Sequence, residues 1–349
     1  MNLRFLILIL ILALSSCKKQ ARDAVTTDWD IISKRVKFRE NSGNLELNFG
    51  EKSYKLPTAK LPFKRIVFLN ASLIGYVTAL GAEDRIVGVS SPEYIYSENI
   101  QALVRGGKIA NVGNEQKYNF EKIIALKPDA VFTNYIKSFD NTYNLLTQNG
   151  ITVIFLDEYL EQEPLQKTAY LKVFGKLLNR EQEAGRLYAE IEKNYNTLKN
   201  LAQKVEKRPE VIANEMYGAQ WFMPGGRTGT ARFLDDAGGN YILRNTADDK
   251  ALPLGFEEVY GKAQNATVWV NLGSHKSKKE LLAVNPGYDR LPTYRNGRLY
   301  MLTGREKGRA NDFFESGVVR ADLVLKDYIK ILHPELLPGY SLYYMQDLK

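Results

Sequence analysis

Arg305 and Arg309 share one loop, GREKGRANDFF, directly after the apolar run RLYMLTG. A guanidinium presents five N–H donors in a fixed fork, which matches carboxylate, phosphate or catecholate oxygens. Arg227 sits in a second loop, MPGGRTGT. Aromatic residues occupy comparable places: Tyr94 and Tyr96 in SPEYIY, then Tyr135, Tyr159, Tyr217 and Trp221, with Ser72 nearby in type. Tyr and Trp offer flat apolar area with a polar tip. Any one of them alone reads as packing or surface. As a set they describe a surface for a large ligand that carries both faces and oxyanions.

Other chemistries are excluded by what is missing. The chain has two histidines, His275 and His333, and one cysteine, Cys17. A bare zinc or manganese site needs several imidazole or thiolate ligands, so a free-metal carrier is not expected. No Ser-His-Asp logic, HExxH, phosphate-binding GxxxxGK[ST] loop or well-placed GxGxxG is present. No residue is expected to be catalytic, and no metal or cofactor to be held by protein ligands. The protein is expected not to be an enzyme.

The elements that must position the loops follow from periodicity. A chain of 349 residues with 44% apolar composition is long for one core and comfortable for two α/β lobes. RIVFLN, RIVGVS, PDAVFTN and ITVIFLD read as buried strands, with helices such as ASLIGYVTALG and 139–148 between them. Strands alternating with helices imply a parallel sheet. EVIANEMYG, ATVWVNLG and RLYMLTG repeat the design further on, with TARFLDDAGGNYIL, FEEVYGKAQ and the closing amphipathic helix ADLVLKDYIKILHPELL. Ligands of such sheets bind beyond the carboxyl ends of the strands, where the aromatic and arginine residues fall. Residues 162–207 lack strand signals and predict about thirty residues of helix, a strut of about 40–45 Å between the lobes. Alternation over 34–56 predicts a small antiparallel meander.

The amino terminus differs. MNLRFLILILILALSSC has one Arg, an apolar run and small residues before Cys17. The run is about ten residues, half of what a membrane span needs, and fits a signal peptide. The close resembles a bacterial lipobox, with Cys17 lipidated. A lone cysteine in an exported chain can form no internal disulfide, which favours that reading. The net charge of +8 suits a cleft for anionic ligands better than nucleic acid in an exported protein.

One segment occurs twice. YNFEKIIALKPDAVFTN (118–134) and LGFEEVYGKAQNATVWVN (254–271) each open a short helix with Phe-Glu and end an apolar strand in Asn. Glu121 and Glu257 therefore hold equivalent places, with Glu258 leaving the second assignment open by one residue. A helix-opening Glu is also favoured by the macrodipole alone.

Over about residues 62–335 the chain resembles the helical-backbone (class III) substrate-binding lipoproteins of ABC importers for iron-siderophores, haem and cobalamin. NFEKIIALKPDAVFTN carries the likeness, supported by DAGGNYI and ADLVLKDYIKILHPEL. The resemblance implies two Rossmann-like α/β lobes with parallel sheets joined by one long backbone helix. The expected parts are 1–17 signal peptide and lipidated Cys, 18–61 tether and meander, 62–160 first lobe, 161–208 linker and bridging helix, and 209–349 second lobe. It implies a monomer in the cell envelope, held to the membrane by lipid, that captures a metal chelate between its lobes; the Tyr- and Arg-rich loops favour an iron(III)-siderophore, and the long helical pattern between the lobes predicts little closure. Corrinoid and haem are the alternative ligands, the latter with a Tyr or His275 as axial ligand. It also implies that Glu121 and Glu257 dock on the permease, which works with its ATPase. A surface adhesion or assembly lipoprotein is the alternative of a different class. The meander is not part of the family core.

Overall fold

The computed structural model describes residues 29–349. The signal peptide, the lipidation of Cys17 and most of the tether lie outside the described residues.

Strands Ile66–Phe68, Ile86–Val89, Ala130–Thr133 and Thr152–Phe155 are apolar almost throughout, as strands covered on both faces must be. They pair in parallel, with Thr152–Phe155 at one edge, then Ala130–Thr133, Ile66–Phe68 and Ile86–Val89. A two-residue strand, Ala110–Asn111, closes the other edge; it is too short to leave a periodic signal. Ile66, Phe68, Phe132 and Ile154 enter one core with the helix Tyr170–Leu178. Val67, Val131 and Val153 point the opposite way, onto Ile123, Tyr143 and Leu146. This is the two-residue period of a strand.

The second lobe repeats the plan. Asn240–Tyr241, Glu210–Ala213, Val268–Leu272 and Arg298–Met301 run parallel. Gln346–Asp347 adds an antiparallel edge. Asp327, buried on the helix Ala321–Leu332, secures that return. Its carboxylate accepts from Tyr340 Oη and from the N–H groups of Tyr343, Tyr344 and Met345. A separate three-stranded sheet joins Met216–Tyr217, Gln220–Pro224 and Ala251–Leu254, where the sequence showed only a glycine-rich turn.

Two segments cross between the lobes. The first is shorter than expected. A helix of 22 residues, Glu181–Ala202, spans about 33 Å. The remaining turns belong to Pro164–Thr168 and Tyr170–Leu178. The break is at Asn179, in the left-handed region at φ 56, which Asn tolerates at a helix end. Apolar periodicity continues across the break, so the sequence hid it. Ala184 and Ile191 of the long helix enter the first-lobe core, and Tyr195 and Ala202 the second.

The second crossing is Asp312–Val319, an out-and-back loop that leaves the second lobe after the strand Arg298–Met301, reaches the first lobe and returns at the second-lobe helix Ala321–Leu332. Val319 belongs to the first-lobe core, and its carbonyl accepts from Thr168 Oγ1 at 2.9 Å. Glu315 accepts from the N–H groups of Tyr96 at 2.6 Å and Ser97 at 3.1 Å. A side chain at Gly75 would meet this segment: its Cβ would stand 2.1 Å from the Glu315 carbonyl oxygen.

The amino-terminal strands Val36–Asn41, Asn44–Phe49 and Lys52–Pro57 form an antiparallel meander. Its Val36, Leu45, Leu47, Phe49 and Leu56 bury into the first-lobe core. Tyr54 Oη accepts the Phe155 N–H at 2.9 Å, so the meander covers the open edge of the parallel sheet.

Two glycines separate close approach from mere permissiveness. Gly75→Ala is expected to cost about 1–3 kcal/mol by overpacking against the second crossing. Gly185→Ala, in the long helix with nothing within 4 Å of its Cβ position, should gain up to about 1 kcal/mol. Urea denaturation of both variants checks the pair of signs.

Candidate functional site

A cavity of about 650 Å³ opens between the lobes. Its first-lobe wall is the chain that leaves the strand Thr152–Phe155: Tyr159, Leu160, Glu161, Pro164 and Lys167. The facing wall is largely aromatic and aliphatic. Phe233 comes from the helix Gly229–Asp236, Phe313 and Phe314 from the second crossing, and Tyr328 from Ala321–Leu332. A further recess of about 450 Å³ shares Thr230, Phe313 and Phe314, and reaches Asn214 and Asn271 at the ends of second-lobe strands. Phe314 is 58% exposed and Tyr159 53%.

Behind the first-lobe wall lies a polar layer built from strand ends. Asn70 and Asn134 hydrogen-bond each other across neighbouring strands. Buried Glu158 accepts from Ser72 Oγ at 2.8 Å and Asn134 Nδ2 at 3.0 Å. Burial pushes its carboxyl above the usual range, against the pull of Lys167 and these donors. Glu161 accepts from Ser33 of the amino-terminal segment and from Tyr170 Oη.

Of the ten residues expected at the ligand, Tyr159 alone lines the large cavity. Its hydroxyl makes no hydrogen bond among the described residues, and burial raises its pKa, with Asp157 and Glu158 adding to the effect. Ser72 is taken up by Glu158. Tyr135 donates to Asp140 at 3.2 Å and lies under Lys52. Tyr217 stands 84% exposed at a hairpin end. Arg227 is exposed on its loop.

Trp221 requires a correction. It is fully buried, donates Nε1–H to the Ala213 carbonyl at 3.0 Å and stacks on Trp269. The alternation of its strand puts it in the core, so it cannot touch a ligand. The remaining four residues meet across the lobes. Arg309 donates to Tyr94 Oη at 3.3 Å. Arg305 pairs with Asp312 at 2.6 Å and lies over the rings of Tyr96 and Tyr343. With Glu315 they border a recess of about 430 Å³. Lys307 and Glu98 add an ion pair across the same junction.

Phe233, Phe313, Phe314 and Lys167 were missed. Phe313 and Phe314 sit in the very loop chosen for its arginines, and the doubled Phe in a polar loop was the available signal. Phe233 and Lys167 were absorbed into helical patterns, which do not reveal which face meets a cleft.

His275 is occupied by Glu215, 2.7 Å from its Nε2, outside the large cavity. His333 is buried against the Gly238 carbonyl. Among the described residues no three His, Cys, Asp or Glu side chains gather as for a metal ion. No described helix is long and apolar enough to cross a membrane.

The repeated helices are Phe120–Ala125 and Phe256–Lys262. Asn119 caps the first by accepting the Lys122 N–H at 2.9 Å; Gly255 precedes the second without a side-chain cap. Glu121 is exposed and makes no hydrogen bond or ion pair among the described residues. Glu257 is 71% exposed yet held by both Nη atoms of Arg290, at 2.6 and 3.0 Å. Arg290 in turn stacks over Phe256 and Tyr260. Glu258 is exposed beside it, without such a partner.

Comparison with known proteins places these features. A family model described as periplasmic binding protein matches residues 66–306. An uncharacterized lipoprotein of Methanocaldococcus jannaschii is 26% identical over 288 residues, covering 80% of this chain and 67% of its own. A periplasmic heme binding protein from Pseudomonas aeruginosa superposes with a TM-score of 0.63 at 22% identity, over 82% of this chain and 98% of that one. CeuE of Helicobacter pylori, with Ni(II) bound, gives 0.60 at 18% identity, over 80% and 87%.

Glu315 makes the lobe junction sensitive to pH. Burial pushes its carboxyl up to about 7, opposed by the Tyr96 and Ser97 N–H groups and reinforced by Asp312. Its folded value exceeds the ordinary 4.5, so its contribution is complete below that value and is lost as pH rises through 7. Between pH 4.5 and 8 the native protein should lose up to about 3 kcal/mol relative to Glu315→Gln. Parallel pH profiles from urea titrations would show that the junction does not sense this carboxyl.

Proposed function

The chain belongs to the periplasmic binding protein family, non-enzymatic ligand carriers of ABC importers outside the cytoplasm, and on that premise we propose that its cleft carries a tetrapyrrole. Such a carrier binds iron chelates or haem and works with a permease. One observation supports the tetrapyrrole reading above others: the large cavity is walled by Phe233, Phe313, Phe314 and Tyr328 and, among the described residues, lined by no arginine. A trianionic catecholate complex needs several cationic forks, and Arg305 is already paired with Asp312. Haem is the first candidate and a corrinoid the second. The free hydroxyl of Tyr159 is the axial ligand we assign to haem iron, in place of His275. The iron-siderophore reading keeps one supporting observation, the junction recess where Tyr96, Arg305 and Lys307 converge.

Delivery uses the repeated helices. Glu121 is the first-lobe docking carboxylate in this reading. On the second lobe Arg290 fixes Glu257, so Glu258 is the carboxylate free to meet a cation of the permease. Some relatives in Methanocaldococcus jannaschii are named lipoproteins, which supports a lipid tether at Cys17. Two crossings between the lobes support a small closure on binding.

Titrating the protein with iron(III) protoporphyrin IX should shift the Soret band and quench tryptophan fluorescence. Tyr159→Phe should weaken binding by about tenfold or more, in proportion to the loss of one coordinating bond. Quenching by ferric tricatecholate alone would replace this reading with the siderophore one. In vesicles containing the cognate permease and ATPase, Glu121→Ala and Glu258→Ala should each lower stimulated ATP hydrolysis about tenfold, the scale of a lost interfacial charge pair. Ligand affinity should not change.

A further inference from the structure

One ammonium at the cavity faces two carboxylates through space but, among the described residues, is hydrogen-bonded to neither. Lys167 lies in the short helix Pro164–Thr168. Its side chain lines the cavity and makes no hydrogen bond or ion pair among the described residues. An ammonium has three donors and no acceptor, and withdrawing it from bulk water without hydrogen-bond partners is unfavourable. Glu158 and Glu161 act on it through space, but both are committed elsewhere. Glu158 is held by Ser72 and Asn134. Glu161 is held by Ser33 and Tyr170.

The base of the side chain is fixed as well. The Lys167 carbonyl accepts from Tyr76 Oη at 2.9 Å. The next residue, Thr168, is bonded to Val319 of the second crossing. Val318, Ala321 and Val324 of the cavity wall are hydrocarbon. Of the other charged residues at this cavity, Glu161 is buried and held by Ser33 and Tyr170, while Asp249 and Lys250 are exposed and therefore screened by water and salt.

We propose that Lys167 binds an oxyanion of the cargo, a carboxylate arm, and so selects an amphipathic acid. The apolar body rests on Phe233, Phe313 and Phe314, and the acidic group crosses to the first-lobe wall. Glu161, positioned by Ser33, keeps the ammonium aimed at the cavity and places the amino-terminal segment in the selectivity of the site. This inference rests on the tetrapyrrole reading.

The test compares iron(III) protoporphyrin IX with its dimethyl ester, which keeps the ring and loses both carboxylates. The native protein should prefer the acid by roughly 10- to 100-fold, the range for a hydrogen bond to a charged group. Lys167→Met should abolish that preference by weakening the acid alone, and Lys167→Arg should retain most of it. Lys250→Met, at the exposed rim, should leave it intact. Equal preference in the native protein and Lys167→Met overturns the assignment while leaving the tetrapyrrole reading in place. Binding of neither probe by the native protein overturns both. A preference that Lys250→Met removes and Lys167→Met does not assigns the arm to the rim.

Discussion

A single carboxylate, Glu315, spans the boundary between the halves of this molecule and closes on the backbone N–H groups of Tyr96 and Ser97. Much of the cleft geometry depends on that contact. The segment that carries Glu315 also carries Phe313 and Phe314, which wall the cavity. It ends in Val319, inside the first-lobe core. Gly75 is there because the segment's backbone runs within van der Waals reach of its Cα. Together with the long helix Glu181–Ala202 this sets the width of the cavity before any ligand arrives. Preformed apolar clefts with few, well-placed polar groups are the usual form of small-molecule sites.

The amino-terminal meander has a physical role of its own. A parallel sheet that ends at Thr152–Phe155 exposes unpaired edge groups, which invite pairing with another chain. Tyr54 meets one of these groups with a side-chain oxygen, and the meander covers the rest with buried Leu and Phe. The segment just before it reaches further, through Ser33 to Glu161. An addition to the family core thus both protects a sheet edge and supports a wall of the site.

What could be read in advance followed the strength of the local signal. Three consecutive apolar residues in AVFT or IVF announce a buried strand, and the first-lobe order needs little more. The repeated Phe-Glu helices were legible because both copies carry the same local pattern. Two-residue strands such as Ala110–Asn111 and Gln346–Asp347 exist only through their partners and left no trace. Asn179 broke a helix without breaking its apolar rhythm. In the site, residue type misled where it did not reveal direction. Trp221 and Arg305 have the right chemistry, but one points into a core and the other is spent on Asp312. Lys167 has an unremarkable place in a charged helical stretch, and only the folded chain shows it lining the cleft.

The two halves share one covalent passage, the helix Glu181–Ala202, but the second half also sends a loop back. Residues 312–319 leave the second lobe, seat Val319 in the first-lobe core and return at Ala321. A protease in the envelope that nicked the helix would sever the backbone between the halves, yet the docked loop would still clasp them. The cargo chamber would then be held by a latch rather than by chain continuity, a form of durability that no tally of contact energies would reveal.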